Sequence, residues 1–463
     1  MKNLYFSTAE FDKNASQNLG IDEKILMENA ASGVEILIRK KLKKGAKILA
    51  LCGAGNNAND AICVLRRLSG DYLCEAFLIF GEPKNEAFKL QSEIAKKVGV
   101  KFSQNLENFK FDCIIDGVFG SGLSRDMDEK VCEILGRANH SKALKIAIDI
   151  PSGIDLAGVP RPMAFEADYT VCMGALKISL FSDLAKDFTG KIKLANLGIC
   201  EDKFATSPDA FLLEKSDLRL PFRKKKNTNK GEFGHAFIAS GEMSGAAQIA
   251  ALSAHAIGAG LVSVVGKIKN LNPILMRKDE FLGASAIGAG MGLGGAKFDT
   301  QILSSTPCVI DADLCYNEAI IEILQTNENA VITPHPKEFA ALLSLAKIAN
   351  LSVSEVQKDR FALARKFSLA TKSVLVLKGA NTIIAHRGEL FVCERGVSAL
   401  AKAGSGDVFS GLITGLLAQG YSSREAAING VLAHALAGRN FRKNSYSLNP
   451  FDIIEEIKWL RKK

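Results

Sequence analysis

Apolar runs of strand length alternate with helix-length amphipathic segments along this chain, and that alternation restricts what it can fold into. In the first half AKILALCG (46–53), EAFLIFG (75–81), FDCIIDG (111–117) and KIAIDIP (145–151) read as strand ends, with helical stretches such as 57–68 and 86–98 between them. A strand without a polar face is covered on both sides, so the pattern predicts a parallel sheet with helices on each face. Ligands of such sheets bind just past the carboxyl ends of the strands. The residues standing there are Asn56, Asn57 and Asp60, then Asp116, then Asp149 and Ser152.

At 463 residues the chain is too long for one core and predicts two or three domains. The division is marked by RLPFRKKKNTNK (219–230), in which six residues are Lys or Arg and none is acidic. It reads as a solvated linker. It also carries most of the net charge of +9, which leaves no reason to expect a nucleic-acid partner. The uncharged stretch 243–266 is long enough to raise a membrane span. It is rich in Ala, Gly and Ser, contains Gln248 and His255, and ends in LVSVVG. A buried helix followed by a buried strand is the reading, with no membrane partner. The start MKNLYFSTAEFDKN has no apolar core of a signal peptide, and the ten cysteines form no CxxC pair. A reduced, cytoplasmic protein without structural zinc is expected, and a homo-oligomer.

AGSGDVFSG (403–411) carries the clearest chemistry. A glycine turn leads into Asp407, which opens the apolar helical stretch VFSGLITGLLAQG. The unpaired N–H groups and the dipole of a helix start attract an anion, and Gly404 and Gly406 let backbone approach it closely. Asp407 stands where a proton can be taken from a hydroxyl beside a phosphate, the minimum equipment for phosphoryl transfer to an alcohol. GAGNNA (53–58) fits a loose GxGxxA turn, which suits a dinucleotide or a plain strand-to-helix turn equally. Asn57, Asp116 and Ser152 offer oxygens from separate strand ends, a set that suits a hard cation of low charge.

Together GAGNNAND, DGVFGSGLSRD, DIPSGID and the helix MENAASG resemble the NAD(P)H-hydrate epimerase domain over most of residues 1–215. The resemblance implies potassium held by Asn57, Asp116 and Ser152. It also implies a hydrated nicotinamide nucleotide contacted by Asn56, Asn57, Ala58, Asn59 and Asp60, by Gly120, Ser121, Gly122, Leu123, Ser124, Arg125 and Asp126, and by Asp149. The family writes NNGGDG where this chain has NNANDA (56–61). From about Lys226 onward GEFGHAFIASG, MSGAAQIAALSAHAIGAGLV, IGAGMGLG, TPHPKEF, VLKGANTII and AGSGDVFSG resemble, in order, the NAD(P)H-hydrate dehydratase family, which has a ribokinase-like fold. Ala246, Gly290, His335 and Asp407 would then contact the hydrated cofactor. Lys378, Gly379, Ala380, Asn381, Thr382 and Gly406 would contact the adenine nucleotide.

The expected fold class is therefore α/β: a Rossmann-like three-layer parallel sheet (1–215), a basic linker (216–230) and a ribokinase-like α/β domain (231–463). The implied activity is bifunctional repair of hydrated NADH and NADPH. Asp149 would move the proton that interconverts the R and S hydrates. Asp407 would act in dehydration of the S hydrate, with ADP and Mg2+ as phosphoryl donor. The same residues also suit a ribokinase-type small-alcohol kinase fused to a non-catalytic Rossmann-like binding module.

Overall fold

The computed structural model describes residues 1–82, 86–106, 108–123 and 125–461. The chain divides into two compact units, Asn3–Asp209 and Ala210–Lys463, the latter including Met1 and Lys2.

In the first unit, among the described residues, β1 (Lys47–Cys52), β2 (Leu73–Leu78), β3 (Lys101–Ser103), β4 (Cys113–Gly117), β5 (Leu144–Ile148), β6 (Tyr169–Met173) and β7 (Lys191–Ala195) form one sheet. Its order is β3-β2-β1-β4-β5-β6-β7, and every pair is parallel. Successive residues of β1 enter opposite apolar clusters, which is why KILALC has no polar face. Ile48 and Ala50 pack with Val34 and Ile38 of α1 (Glu23–Lys41) and with Ala61 and Leu65 of α2 (Asn56–Leu68). Leu49 and Leu51 pack with Val131 and Leu135 of α3 (Glu129–His140). The chain order reverses between β1 and β4. Connections leave those two strands in opposite directions, and a crevice opens past their carboxyl ends.

The second unit contains β8 (Ala210–Leu212), β9 (His235–Ser240), β10 (Leu261–Gly266), β11 (Met276–Lys278), β12 (Ala286–Ala289), β13 (Cys308–Ile310), β14 (Ala330–Ile332), β15 (Val374–Leu377), β16 (Thr382–His386) and β17 (Glu389–Cys393). They lie in the order β11-β10-β9-β12-β13-β14-β15-β16-β17-β8. The run from β11 to β15 is parallel, β15-β16-β17 is an antiparallel meander, and β8 pairs parallel to β17. Its helices include α4 (Ser244–Ala256), α5 (Pro336–Leu345), α6 (Arg360–Ala370), α7 (Ser405–Ala418) and α8 (Ser423–Asn440).

The uncharged stretch is α4 followed by β10, and both are packed inside this unit. Gly411 and Gly415 of α7 lie on Ala250 and Ala254 of α4 so closely that a Cβ at Gly411 would stand 2.1 Å from the Ala250 carbonyl oxygen. Among the described residues no helix is long and apolar enough to cross a membrane.

The expected linker is packed rather than free at its start. Leu213 and Leu218 are buried in the second unit's core. The Arg219 N–H donates to the Asn429 side chain, and the Tyr421 hydroxyl donates to the Arg219 carbonyl at 3.1 Å. The Arg223 guanidinium sits 4.1 Å from the centre of the Phe233 ring. The pairing of β8 with β17, followed by these apolar and polar ties, accounts for the division falling at Asp209–Ala210, before the basic run.

Two candidate active sites

In the first unit the crevice is lined by the β1–α2 turn, the loop after β4 and the end of β5. Gly53 is required by close approach, since a Cβ there would lie 2.0 Å from the Val118 carbonyl oxygen. Asn57, on the first turn of α2, donates its side-chain amide to the carbonyls of Phe119 (2.9 Å) and Ile148 (3.1 Å). Ser152 meets the same Phe119: it accepts from that N–H at 2.8 Å and donates toward its carbonyl at 3.2 Å. Asp116 lies behind Ser152, fully buried. Its carboxylate accepts from the Ser152 hydroxyl (2.5 Å), the Ser152 N–H (2.7 Å) and the Val118 N–H (3.2 Å). Burial pushes its carboxyl up to about 6, against the lowering effect of those donors.

Among the described residues Asp116 makes no ion pair. A buried carboxylate without a cation, amid hydroxyl, amide and carbonyl oxygens, is a donor set that fits a hard monovalent cation. Asn57, Asp116 and Ser152 fit potassium on that ground.

Asp149 sits at the end of β5 with a left-handed φ of +67°. Its Oδ1 accepts from the buried Lys177 ammonium at 2.5 Å and from the Met173 N–H at 3.1 Å. Asp60, one turn along α2, has its carboxyl held well above the usual range by burial and by the charges of Asp149 and Asp12, while Lys177 works the other way. Gly120 closes the group: a Cβ there would lie 3.3 Å from Asn57 Oδ1 and 3.7 Å from Asp149 Oδ2. Thus Asn57, Asp60, Gly120 and Asp149 gather at the crevice. Asn56, Gly122, Arg125 and Asp126 are exposed, and Ser121 is half-buried. Ala58 and Asn59 are buried on α2, Ala58 within the apolar cluster, and Leu123 is buried on the other face of the sheet. Ser124 lies outside the described residues.

The second unit's site gathers around Asp311, at the end of β13. Its Oδ1 accepts from Lys378 Nζ at 2.7 Å and its Oδ2 from the Ser410 hydroxyl at 2.5 Å. Gly290, with φ +113°, abuts its backbone: a Cβ there would fall 1.8 Å from the Asp311 carbonyl oxygen. Lys378 also lies 3.8 Å from Glu338, and Glu338 lies 3.2 Å from His335 Nε2. His335 caps α5, its Nδ1 accepting from the N–H groups of Lys337 (3.2 Å) and Glu338 (3.3 Å). An accepting Nδ1 places the ring proton of the neutral imidazole on Nε2, toward Glu338.

Gly404 enters α7 with φ +85°, a left-handed N-cap that favours glycine. A Cβ at Gly406 would meet nothing within 4 Å, so the first turn of α7 is open on that side. Asp407 stands on that turn, its carboxyl pushed up to about 6 by burial and by Asp311, against the pull of Lys378. Behind it the Ser405 hydroxyl meets His434 Nε2 at 3.0 Å. Ala246 of α4 lies against Gly292, where a Cβ would be 3.0 Å from its own. The segment Lys378–Thr382 is held from below by buried Arg360 of α6, which donates to the carbonyls of Leu377 (3.1 Å), Lys378 (2.9 Å) and Asn381 (3.2 Å). Gly379 and Ala380 are exposed, and Asn381 is buried.

Lys177, Asp311, Glu338, Ser410 and Arg360 were not singled out from the sequence. Asp311 had a signal, since it stands at the end of a buried strand as Asp116 and Asp149 do. Lys177 had none: ALKISL reads as an ordinary strand start with a surface lysine.

A parallel sheet whose edge presents a glycine turn, a helix start and an aspartate defines a nucleotide-handling α/β enzyme in the second unit, and the first unit is a Rossmann-like domain with its own polar crevice. Residues 236–459 match the family model described as NAD(P)H-hydrate dehydratase, and residues 23–179 match that of the YjeF-related protein N-terminus. The chain is 42% identical to the bifunctional NAD(P)H-hydrate repair enzyme Nnr of Helicobacter pylori, over 99% of this chain and 100% of that one. It is 30% identical to the enzyme of that name from Escherichia coli, over 96% of this chain and 92% of that one. Among solved structures it resembles the ADP/ATP-dependent NAD(P)H-hydrate dehydratase of Bacillus subtilis co-crystallized with ATP/Mg2+, at 25% identity and a TM-score of 0.46, over 54% of this chain and 96% of that one. The chain belongs to the family of bifunctional NAD(P)H-hydrate repair enzymes. It is an enzyme with an epimerase domain and a dehydratase domain.

Proposed function

We propose that the crevice of the first unit interconverts the R and S hydrates of NADH and NADPH through Asp149, and that the second unit dehydrates the S hydrate at the expense of ADP through Asp407. The observation that carries the second half is Asp407 on the open first turn of α7, beside a glycine turn and one carboxylate away from Lys378. Asp407 takes the proton of the ring hydroxyl, and the oxygen attacks the terminal phosphorus of ADP, bound as its magnesium salt. AMP leaves. Phosphate is a far better leaving group than hydroxide, so its elimination, with loss of a proton from the adjacent ring carbon, restores the double bond. The amides at Gly404–Gly406 stabilise charge on the transferring group.

Lys378 is held between Asp311 and Glu338, so the nucleotide is met by the exposed backbone of Gly379 and Ala380 together with Thr382, and Lys378 acts as a fixed charge behind them. Ala246, Gly290, His335 and Asp407 would contact the hydrated ring, a reading supported by Gly290 packing on the Asp311 backbone. In the first unit Asn57, Asp116 and Ser152 would hold potassium, which supplies a fixed positive charge beside the substrate loop. Asn56, Asp60, Gly120, Ser121, Gly122, Arg125 and Asp126 line the substrate. A cytoplasmic, homo-oligomeric protein without nucleic-acid or membrane partners completes the reading, and that part rests on sequence alone.

The test uses mixed hydrates with ADP, following recovered NADH. Asp149→Ala is expected to recover NADH quickly and then stall with the R form left over. A variant that consumes both epimers at the wild-type rate removes Asp149 from the reaction. Product that retains phosphorus would favour the small-alcohol kinase instead.

A further inference from the structure

Lys177 is a buried charge that the reaction outlined above does not use. Its side chain is 3% exposed. It lies on the short strand Leu176–Lys177, which pairs in parallel with Leu4 and Tyr5, so its backbone is fixed. Besides Asp149 Oδ1 at 2.5 Å, its ammonium reaches the Met173 carbonyl at 3.4 Å and Cys172 Sγ at 3.8 Å. The charged and titratable groups facing it are Asp149, Cys172 of β6, Asp60 of α2 and Asp12 of the helix Ala9–Lys13, with Glu23 behind Asp12. Burial alone would favour the neutral amine. The charge of Asp149 outweighs it and holds the ammonium protonated.

The backbone at Asp149 needs such a grip. A residue with a Cβ is strained in the left-handed region, and it persists there where the surroundings over-determine it. Lys177 and the Met173 N–H both hold Oδ1. Oδ2 is left on the side of Gly120 and Asn57, where the crevice opens. We propose that Lys177 is a positioning residue of the epimerase, holding Asp149 by Oδ1 so that Oδ2 alone is presented to the hydrated ring. The inference rests on the reading of Asp149 as the proton carrier. The proton moves between substrate and Oδ2, and Lys177 keeps its own protons throughout.

The experiment measures R-to-S conversion and, in the same full-length chain, dehydration of purified S hydrate with ADP. Lys177→Met is expected to lower epimerase kcat about a hundredfold, with KM changed less than about threefold and dehydration unchanged. Methylammonium is expected to restore part of the rate of Lys177→Ala, and tetramethylammonium, which cannot donate a hydrogen bond, is not. Wild-type kcat in Lys177→Met overturns the proposal, as does a loss that appears in KM and is not rescued by the amine. Should Lys177→Met fail to fold, Lys177→Arg decides, because it keeps the charge in a space sized for an ammonium. A drop of about tenfold in kcat at constant KM is then expected, and an unchanged kcat overturns the proposal. Asp149→Asn runs in parallel. If it is active, the reading of Asp149 falls and takes this inference with it; if it is dead while Lys177→Met is fully active, only this inference falls.

Discussion

Asp407 keeps its proton up to about pH 6 because it is partly buried and faces Asp311, with Lys378 offsetting only some of that. A general base works deprotonated, so kcat/KM for dehydration is expected to be flat above that pH and to fall about tenfold per unit below it. Asp407→Asn should lose about a hundred- to ten-thousand-fold in rate while nucleotide still binds, since the glycine turn survives. Asp311→Asn removes a like charge and frees Lys378, two changes that both lower the Asp407 carboxyl. Its acid limb should therefore move to lower pH in a pH–rate profile, and a limb that stays near 6 would show that Asp311 does not act on Asp407. At this scale the sequence is legible wherever a carboxylate stands at the end of a buried strand: Asp116, Asp149 and Asp311 all obey that rule. Lys177 was illegible, because its partner lies on another strand and a buried lysine is spelled like an exposed one. Ala58 and Asn59 show what a contiguous motif does not spell out: on a helix neighbouring side chains face different ways, and both of these are buried, Ala58 within the apolar cluster.

Helix α7 is placed by what it touches. Gly411 rests on the Ala250 carbonyl and Gly415 on Ala254, so Gly411→Ala must push two helices apart. Overpacking of this kind costs about 1–3 kcal/mol, and the shift should also lower dehydratase kcat, because Asp407 lies one turn upstream. Wild-type stability and rate in that variant would mean the contact is soft. From α8, His434 supports Ser405, and burial pushes its ring down to about 4, below the ordinary histidine value near 6.5. The unfolded chain then binds the proton more readily, so the second unit should lose stability as pH falls from about 6.5 toward 4, by up to roughly 3 kcal/mol. Urea unfolding followed by the single tryptophan, Trp459, would show it, and His434→Gln should flatten the acid side. The alternation of strands and helices was legible because both periods are written in apolar spacing. The Ala- and Gly-rich stretch was read as buried, yet its reason, close contact between α4 and α7, needed a partner more than a hundred residues away.

For the whole molecule, separation at Asp209–Ala210 should give two pieces that each fold and keep one activity. A cut at Lys224 should not, because it strips Leu213 and Leu218 from the second unit's core. Circular dichroism and the two assays on the pieces decide between them. Potassium belongs to this scale too: exchanging it for tetramethylammonium should lower the unfolding temperature of the 1–209 piece and leave the other unmoved. Saturation at a hundred times Kd corresponds to about 2.7 kcal/mol, and Asp116→Asn should abolish the response. The basic run misled the reading of the boundary, since charge marks solvent and not the edge of a core. Because both units lie on one continuous chain, every copy made delivers the two activities in equal dose. No change in transcription or translation can alter their ratio, and any adjustment between isomer exchange and ring restoration has to be written into the turnover numbers themselves.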